Sequence, residues 1–144
     1  MTPADISIVI PTLNEAGTIT RCIESVQDAG AEQIIIADGG SEDGTVDAAQ
    51  LAGANNIVRS LPGRGIQLNH GAEAATGQVI LFLHADNRLG CDCLNQICDH
   101  SEVVWGAFRQ RIDAPQSLYR GLERGNALRV TVRGMPFGDQ AIFV

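Results

Sequence analysis

Val79-Ile80-Leu81-Phe82-Leu83-His84-Ala85-Asp86-Asn87-Arg88 is an apolar run that ends abruptly in a histidine and an aspartate two positions apart. An apolar run with no polar alternation suits a strand buried on both faces, as in a parallel sheet. An aspartate just after such a strand lies at the carboxyl edge of the sheet, where open α/β folds place ligands. In an extended segment His84 and Asp86 project to the same side. The pair then suits one divalent ion and, through it, a phosphate. The alternative is a strand that ends in ordinary polar loop residues, and this stretch alone does not choose between the two.

Upstream the chain alternates strand and helix. Ile6–Ile10 is an apolar run closed by Pro11, followed by the polar turn Thr12-Leu13-Asn14-Glu15. Ile19, Cys22, Ile23 and Val26 recur at helical spacing, and Gly30 stops that helix. Gln33–Ala37 predicts a second strand that runs into Asp38-Gly39-Gly40-Ser41. A helix over Thr45–Ala54 and a short strand over Ile57–Ser60 come next. The segment Arg64–Thr76 predicts a helix with Leu68, Ala72 and Ala75 on one face and Gly77 as its C-cap. This order predicts an α/β fold, a mostly parallel sheet with right-handed crossovers flanked by helices.

Downstream the pattern changes. Val103–Ile112 reads as a longer, partly alternating strand, Ser117–Arg129 as a helix, and Ala141–Val144 as another strand. These form a C-terminal extension to one domain spanning residues 1–144. Because the chain stops inside an apolar run, a fragment of a longer protein is the expectation. An unpaired terminal strand also invites pairing with a second copy, hence a homodimer.

Composition narrows the class. The chain has 144 residues, 44% hydrophobic and 19% charged, which is ordinary for one globular domain. A net charge of −7 argues against nucleic acid as a partner. A phosphate ligand then needs local help from a metal, an arginine or a helix N-terminus. No apolar run approaches the roughly 20 residues of a membrane span and no leader opens the chain, so the expected place is the cytoplasm. Cys22, Cys91, Cys93 and Cys98 lack zinc-knuckle spacing and are read as reduced and structural.

Polar groups finish three strands at one sheet edge: Thr12, Asn14 and Glu15; then Asp38; then His84 and Asp86. Unpaired buried carboxylates cost several kcal/mol, so packing alone explains this convergence poorly. Asp38 either accepts hydrogen bonds from a base or ribose, or serves as a turn and cap residue in Asp-Gly-Gly-Ser. The run Asp38–Gly44 fails as a calcium loop, because Gly40 and Asp43 occupy the wrong positions. Gly63-Arg64-Gly65 places backbone amides and a guanidinium at a helix start, where a phosphate can be met. No G-x-G-x-x-G follows the first strand and all ten cationic residues are arginines, which excludes a dinucleotide fingerprint and a P-loop. His70 and His100 have no partner at ligand spacing and are read as solvated or capping residues. Asp139, in the Gly/Pro-rich stretch before Ala141, is either a turn residue or a general base folded back over the metal site.

Five segments in order resemble family 2 glycosyltransferases of the GT-A fold. They are Ile8–Glu15, Ile36–Thr45, Gly63–Gly77, Phe82–Asp86 and Phe137–Gln140. The Leu-His-Ala-Asp and Pro-Phe-Gly-Asp-Gln forms are similar to the rSAM/selenodomain-associated transferase subgroup. The resemblance implies a nucleoside-diphosphate sugar donor, an acceptor hydroxyl of unknown identity and an inverting mechanism. It divides the chain into a nucleotide-sugar-binding half, 1–90, and an incomplete acceptor-side half, 91–144. Pro11, Thr12 and Glu15 would line the nucleotide pocket, with Ala85 also against the nucleotide. Asp38 would bind the base, and Arg64 would approach the base or phosphates. Asp86 would hold Mg²⁺ or Mn²⁺ on the diphosphate, with His84 as a further ligand, and Asp139 would be the catalytic base. His84 stands where many members have an Asp, and Gly138 where many have a Glu. Two competitors remain: a nucleotidyltransferase, against which Pro-Thr-Leu-Asn-Glu after the first strand counts, and a nucleotide-binding fragment without catalysis.

Overall fold

Branched apolar residues dominate the runs that form the central strands, and their placement follows from that. The computed structural model describes the chain except residues 101, 103 and 137–139 and the side chain of Arg133. Strand β1 (Ile6–Thr12) and strand β2 (Gln33–Asp38) are buried almost throughout. They pair in parallel with Thr12 opposite Asp38. Strand β3 (Asn56–Arg59) adds to β2 and strand β4 (Val79–Phe82) to the other side of β1, both parallel. Two short strands, β5 (Gly106–Ala107) and β6 (Ile142–Phe143), extend the sheet antiparallel, in the order β3-β2-β1-β4-β6-β5. Chain order reverses between β1 and β4, and the crevice beyond the carboxyl ends there is the place such sheets use for ligands.

Helix α1 (Ile19–Asp28) buries Ile19, Cys22, Ile23 and Val26, the stripe expected from its spacing. Helix α2 (Thr45–Leu51) ends three residues before the expected boundary. Helix α3 (Arg64–Glu73) turns a different face inward. It buries Gln67 and Gly71, while Leu68, Ala72 and Ala75 are only half-buried. A Cβ on Gly71 would lie 2.3 Å from Val9 Cγ1, so glycine lets α3 sit directly on β1. Gly77 is not the helix cap; Ala74 is. A Cβ on Gly77 would lie 2.5 Å from the Asp5 carbonyl oxygen, so this glycine permits a close backbone approach as the chain enters β4.

The C-terminal part departs furthest from expectation. The long strand over Val103–Ile112 is reduced to Gly106–Ala107, and helix α4 (Cys93–Asp99), unanticipated, precedes it. Helix α5 runs over Ser117–Arg133, beyond the expected end. The last strand is not an open edge: β6 lies between β4 and β5, which removes the ground on which pairing with a second copy was expected. Phe143 packs over Gly106 and against Phe108, ring centroids 5.9 Å apart. All four cysteines are free; Cys22 is buried and Cys91 exposed.

Candidate nucleotide-sugar site at the carboxyl edge of the sheet

Three loops at this edge are tied into one unit. Asp38, at the end of β2 and 2% exposed, accepts hydrogen bonds from the Thr12 and Ser41 hydroxyls at 3.1 and 2.5 Å. The Gly40 and Ser41 amides donate to its other oxygen, both at 3.0 Å. Burial raises the pKa of this carboxyl, but the four donors outweigh it and hold the group below the ordinary carboxylate value. A carboxylate offers about four lone-pair sites, so its first task here is to shape the turn. A ligand base must share an oxygen already in use.

The β1 loop is laced to the β2 loop. The amides of Asn14, Glu15 and Ala16 donate to Ser41 Oγ, Thr45 Oγ1 and Asp43 Oδ2 at 2.9, 2.8 and 3.1 Å. Glu42 N donates back to Asn14 Oδ1 at 3.0 Å, with Asn14 in the left-handed region at φ 57°. Asp43 also accepts the Thr45 hydroxyl, which leads the causes that lower its pKa. Glu15, half-buried, accepts from Thr18 Oγ1 at 2.9 Å.

Gln67, 4% exposed on α3, ties in the third loop. Its amide nitrogen donates to the Thr12 and Ala37 carbonyls at 2.7 and 2.9 Å. That anchors the start of α3, where Arg64 is exposed, to β1 and β2. Gln67, Asn14, Asp43 and Thr45 all hold the site together; Asn14 was read among the strand-end polar groups and Asp43 only within a rejected calcium loop, while Gln67 and Thr45 were not singled out from sequence. A polar residue on the inward face of α3 was the available signal for Gln67.

The fourth strand contributes differently from the expected extended segment. It ends at Phe82, and His84–Asn87 form a tight turn closed by Asn87 N to the His84 carbonyl at 3.0 Å. Same-side projection of His84 and Asp86 along a strand therefore does not apply. Ala85 is 3% exposed with its methyl in the core, so it can meet a ligand only through its backbone. Asp86 is exposed and His84 half-buried. Helix α1 holds this turn, with Cys22 Sγ donating to the His84 carbonyl at 3.5 Å and Leu89 N to Ser25 Oγ at 3.0 Å. Burial pushes the Cys22 thiol up to about 12, and the Asp86 and Glu15 carboxylates add to that.

One exposed carboxylate with an imidazole two residues away is a sparse donor set. It suits a cation that takes its remaining oxygens from a diphosphate rather than from a protein cage. Consistently, no group of three or more His, Cys, Asp or Glu that could hold a metal converges among the described residues. Asp139 lies outside the described residues. Pro11 sits in β1 opposite Ala37, half-buried, at the mouth of the same loops. His70 is exposed in the last turn of α3, and His100 follows α4.

The profile of Glycosyl transferase family 2 matches residues 7–139. The chain belongs to that family. Among relatives, a PGL/p-HBAD biosynthesis glycosyltransferase of Mycobacterium bovis is 37% identical over 115 residues, 69% of this chain and 45% of that protein. A glucosyl-3-phosphoglycerate synthase of Mycobacterium tuberculosis is 33% identical over 92 residues, 56% of this chain and 28% of that protein. The crystal structure of the Mycobacterium tuberculosis synthase in complex with Mn²⁺, uridine diphosphate and glucosyl-3-phosphoglycerate superposes with a TM-score of 0.72. At 22% identity, over 96% of this chain and 56% of that one, this likeness speaks to the fold. The family's GT-A fold is the one observed, and this chain spans about half the length of these relatives or less. Among the described residues, no helix is long and apolar enough to cross a membrane.

Proposed function

We propose that this family 2 chain binds a nucleoside-diphosphate sugar at the carboxyl edge of β1, β2 and β4 and transfers the sugar to an acceptor hydroxyl with inversion. The convergence of the Asp38 turn, the Glu15 loop, the Arg64 helix start and the His84–Asn87 turn at the β1/β4 switch point carries this reading. Residues 1–90 form the donor half and 91–144 part of the acceptor half. Pro11, Thr12 and Glu15 line the nucleotide pocket, with the backbone of Ala85 against the nucleotide. Asp38 presents the turn that meets the base, and Arg64 approaches the base or the phosphates.

Asp86 holds the divalent cation, Mg²⁺ or Mn²⁺, with His84 as the second protein ligand. The cation, when bound, neutralises charge on the departing diphosphate. Asp139 takes the proton from the acceptor hydroxyl, whose oxygen attacks the anomeric carbon opposite the leaving group. The Mn²⁺ and uridine diphosphate of the synthase complex support this donor and metal class for the present chain. The Leu-His-Ala-Asp and Pro-Phe-Gly-Asp-Gln forms support a place in the rSAM/selenodomain-associated subgroup, and the cytoplasm, where sugar nucleotides are made, is the proposed site of action.

Donor-hydrolysis and transfer assays on Asp86→Ala and Asp139→Asn test the assignment, with nucleoside diphosphate as the expected product. Release of pyrophosphate would instead indicate a nucleotidyltransferase. Wild-type turnover by both folded variants would overturn the roles given to these aspartates.

A further inference from the structure

The sheet order separates two territories. The loops after β1, β2 and β3 lie on one side of β4, and β6 and β5 lie on the other. Asp86, after β4, stands on the divide. A cleft of about 510 Å³ opens on the β5–β6 side, bordered by Asp86, Arg88, Arg109, Arg111, Asp113 and Gln140. Arg109 and Arg111 directly follow β5, are exposed and have no ion-pair partner among the described residues. Among the described residues Arg88 pairs with Asp113, at 3.9 Å with both side chains exposed.

The segment that carries these arginines is held from behind. Arg120 donates to the Ile112 and Ala114 carbonyls at 2.5 and 3.0 Å, and pairs with Glu123 at 2.8 Å. Glu123 in turn accepts from Ile112 N at 2.5 Å. Arg120 is therefore spent on structure, and it fixes the segment that offers Arg109 and Arg111 to the cleft. Arg109 also borders a neighbouring cleft of about 390 Å³ with Arg120, Glu123 and Arg124.

Charge makes this placement informative. The chain carries a net charge of −7, yet six of its ten cationic residues fall between positions 109 and 133, against only Asp113 and Glu123. Arg109 and Arg111, exposed at the rim of a cleft with no ion-pair partner among the described residues, suit an oxyanion ligand. Arg is also the side chain whose planar fork matches carboxylate and phosphate. The donor diphosphate belongs with the cation at Asp86 and the loops across β4, so it does not account for arginines after β5.

We propose that the acceptor carries an oxyanion, a carboxylate or a phosphate, and that Arg109 and Arg111 bind it in the cleft beyond Asp86, with Arg88 at its rim. This rests on the donor reading above. It makes the two arginines determinants of acceptor class, not part of the donor site.

The test titrates the full chain with three-carbon probes that differ in charge: glycerol, glycerate and glycerol 3-phosphate. Each titration is made with and without saturating uridine diphosphate and Mn²⁺. At least one anion should bind while glycerol does not; whether glycerate or glycerol 3-phosphate binds tighter separates a carboxylate from a phosphate. Arg109→Gln and Arg111→Gln should each weaken the anion about tenfold, with uridine diphosphate affinity unchanged within about twofold. Added salt should weaken the anion further. The inference fails if glycerol binds as tightly as the anions, if neither anion binds, or if the double variant keeps the anion. It also fails if both substitutions weaken uridine diphosphate in parallel, since the arginines would then serve the donor. A wild-type chain that binds anions but no nucleotide would sink the donor reading separately, leaving the arginine titration to stand or fall by itself.

Discussion

Gln67 ties α3 to the ends of β1 and β2 at the candidate site, and its removal should be costly in a way that can be dissected. Its amide nitrogen donates to the Thr12 and Ala37 carbonyls at 2.7 and 2.9 Å in a position 4% exposed. Each such bond is worth about 1 kcal/mol net, and a buried carbonyl left unpaired adds about 1–3 kcal/mol. Thr12 O keeps the Gly39 amide at 2.9 Å, and Ala37 O keeps the Thr12 amide through its ladder pairing with β1, since Pro11 has no N–H to serve there, so neither carbonyl is left bare. Gln67→Met keeps the volume and removes the donors, and for two lost bonds should cost about 1–3 kcal/mol. For a chain of this size that lowers Tm by about 2–12 °C.

Gln67→Glu should be worse near neutral pH, because a carboxylate would face two carbonyl oxygens. Burial among acceptors raises that carboxyl's folded pKa above its unfolded value. The proton-bound form is then favoured in the fold, and the extra deficit should shrink as pH falls toward about 4. Urea unfolding followed by circular dichroism, with m-values compared, measures all of this. If Gln67→Met lies within about 0.5 kcal/mol of wild type at unchanged m, the loops are not held together through Gln67.

Other outcomes follow from the same geometry. Gly71→Ala, whose Cβ would lie 2.3 Å from Val9 Cγ1, should destabilise by about 1–3 kcal/mol or more in thermal unfolding as α3 is pushed off β1. Asp38→Asn should cost about 1.5–3 kcal/mol at pH 7. Since the folded carboxyl titrates below its unfolded value, that contribution is present above about pH 4 and lost as pH falls through the folded value, so variant and wild type should converge in acid urea titrations. The Cys22 thiol, pushed up to about 12, should resist alkylation at pH 8 in the folded chain while exposed Cys91 reacts, as peptide mass mapping will show. The raised Cys22 value also implies stability that is complete below the unfolded thiol pKa and falls as pH rises from about 9.

Much of residues 1–90 was legible because the signals there are local. Ile6–Ile10, Gln33–Ala37 and Val79–Leu83 are apolar runs closed by Pro11, Asp38 and His84, and each became a parallel strand within one or two residues. The stripe Ile19, Cys22, Ile23 and Val26 became the buried face of α1. The face of α3 was misjudged because Leu68 and Ala72 suggested packing, whereas Gly71 permits the close approach and Gln67 has buried partners. The C-terminal half failed where structure depends on distant partners. The strand at Gly106–Ala107 exists through pairing with β6, more than thirty residues later. Helix α4 buries only Leu94 and Ile97, too few positions to show a period. Helix α5 leaves Leu118, Leu122, Leu128 and Val132 exposed, so no buried stripe marks its length, and it ends at Gly134 with φ 60°. A tight turn at His84–Asn87 stands in place of the expected extended segment, so Asp86 follows β4 as expected but the same-side geometry expected for His84 and Asp86 does not hold.

Calorimetric titration of the chain with uridine diphosphate, with Mn²⁺ and then in chelator, bears most directly on the donor site. The account predicts stoichiometric binding that weakens at least about tenfold without metal and to a similar degree in Asp86→Ala. Metal-independent binding that is indifferent to Asp86, or no binding by the folded chain, would contradict it.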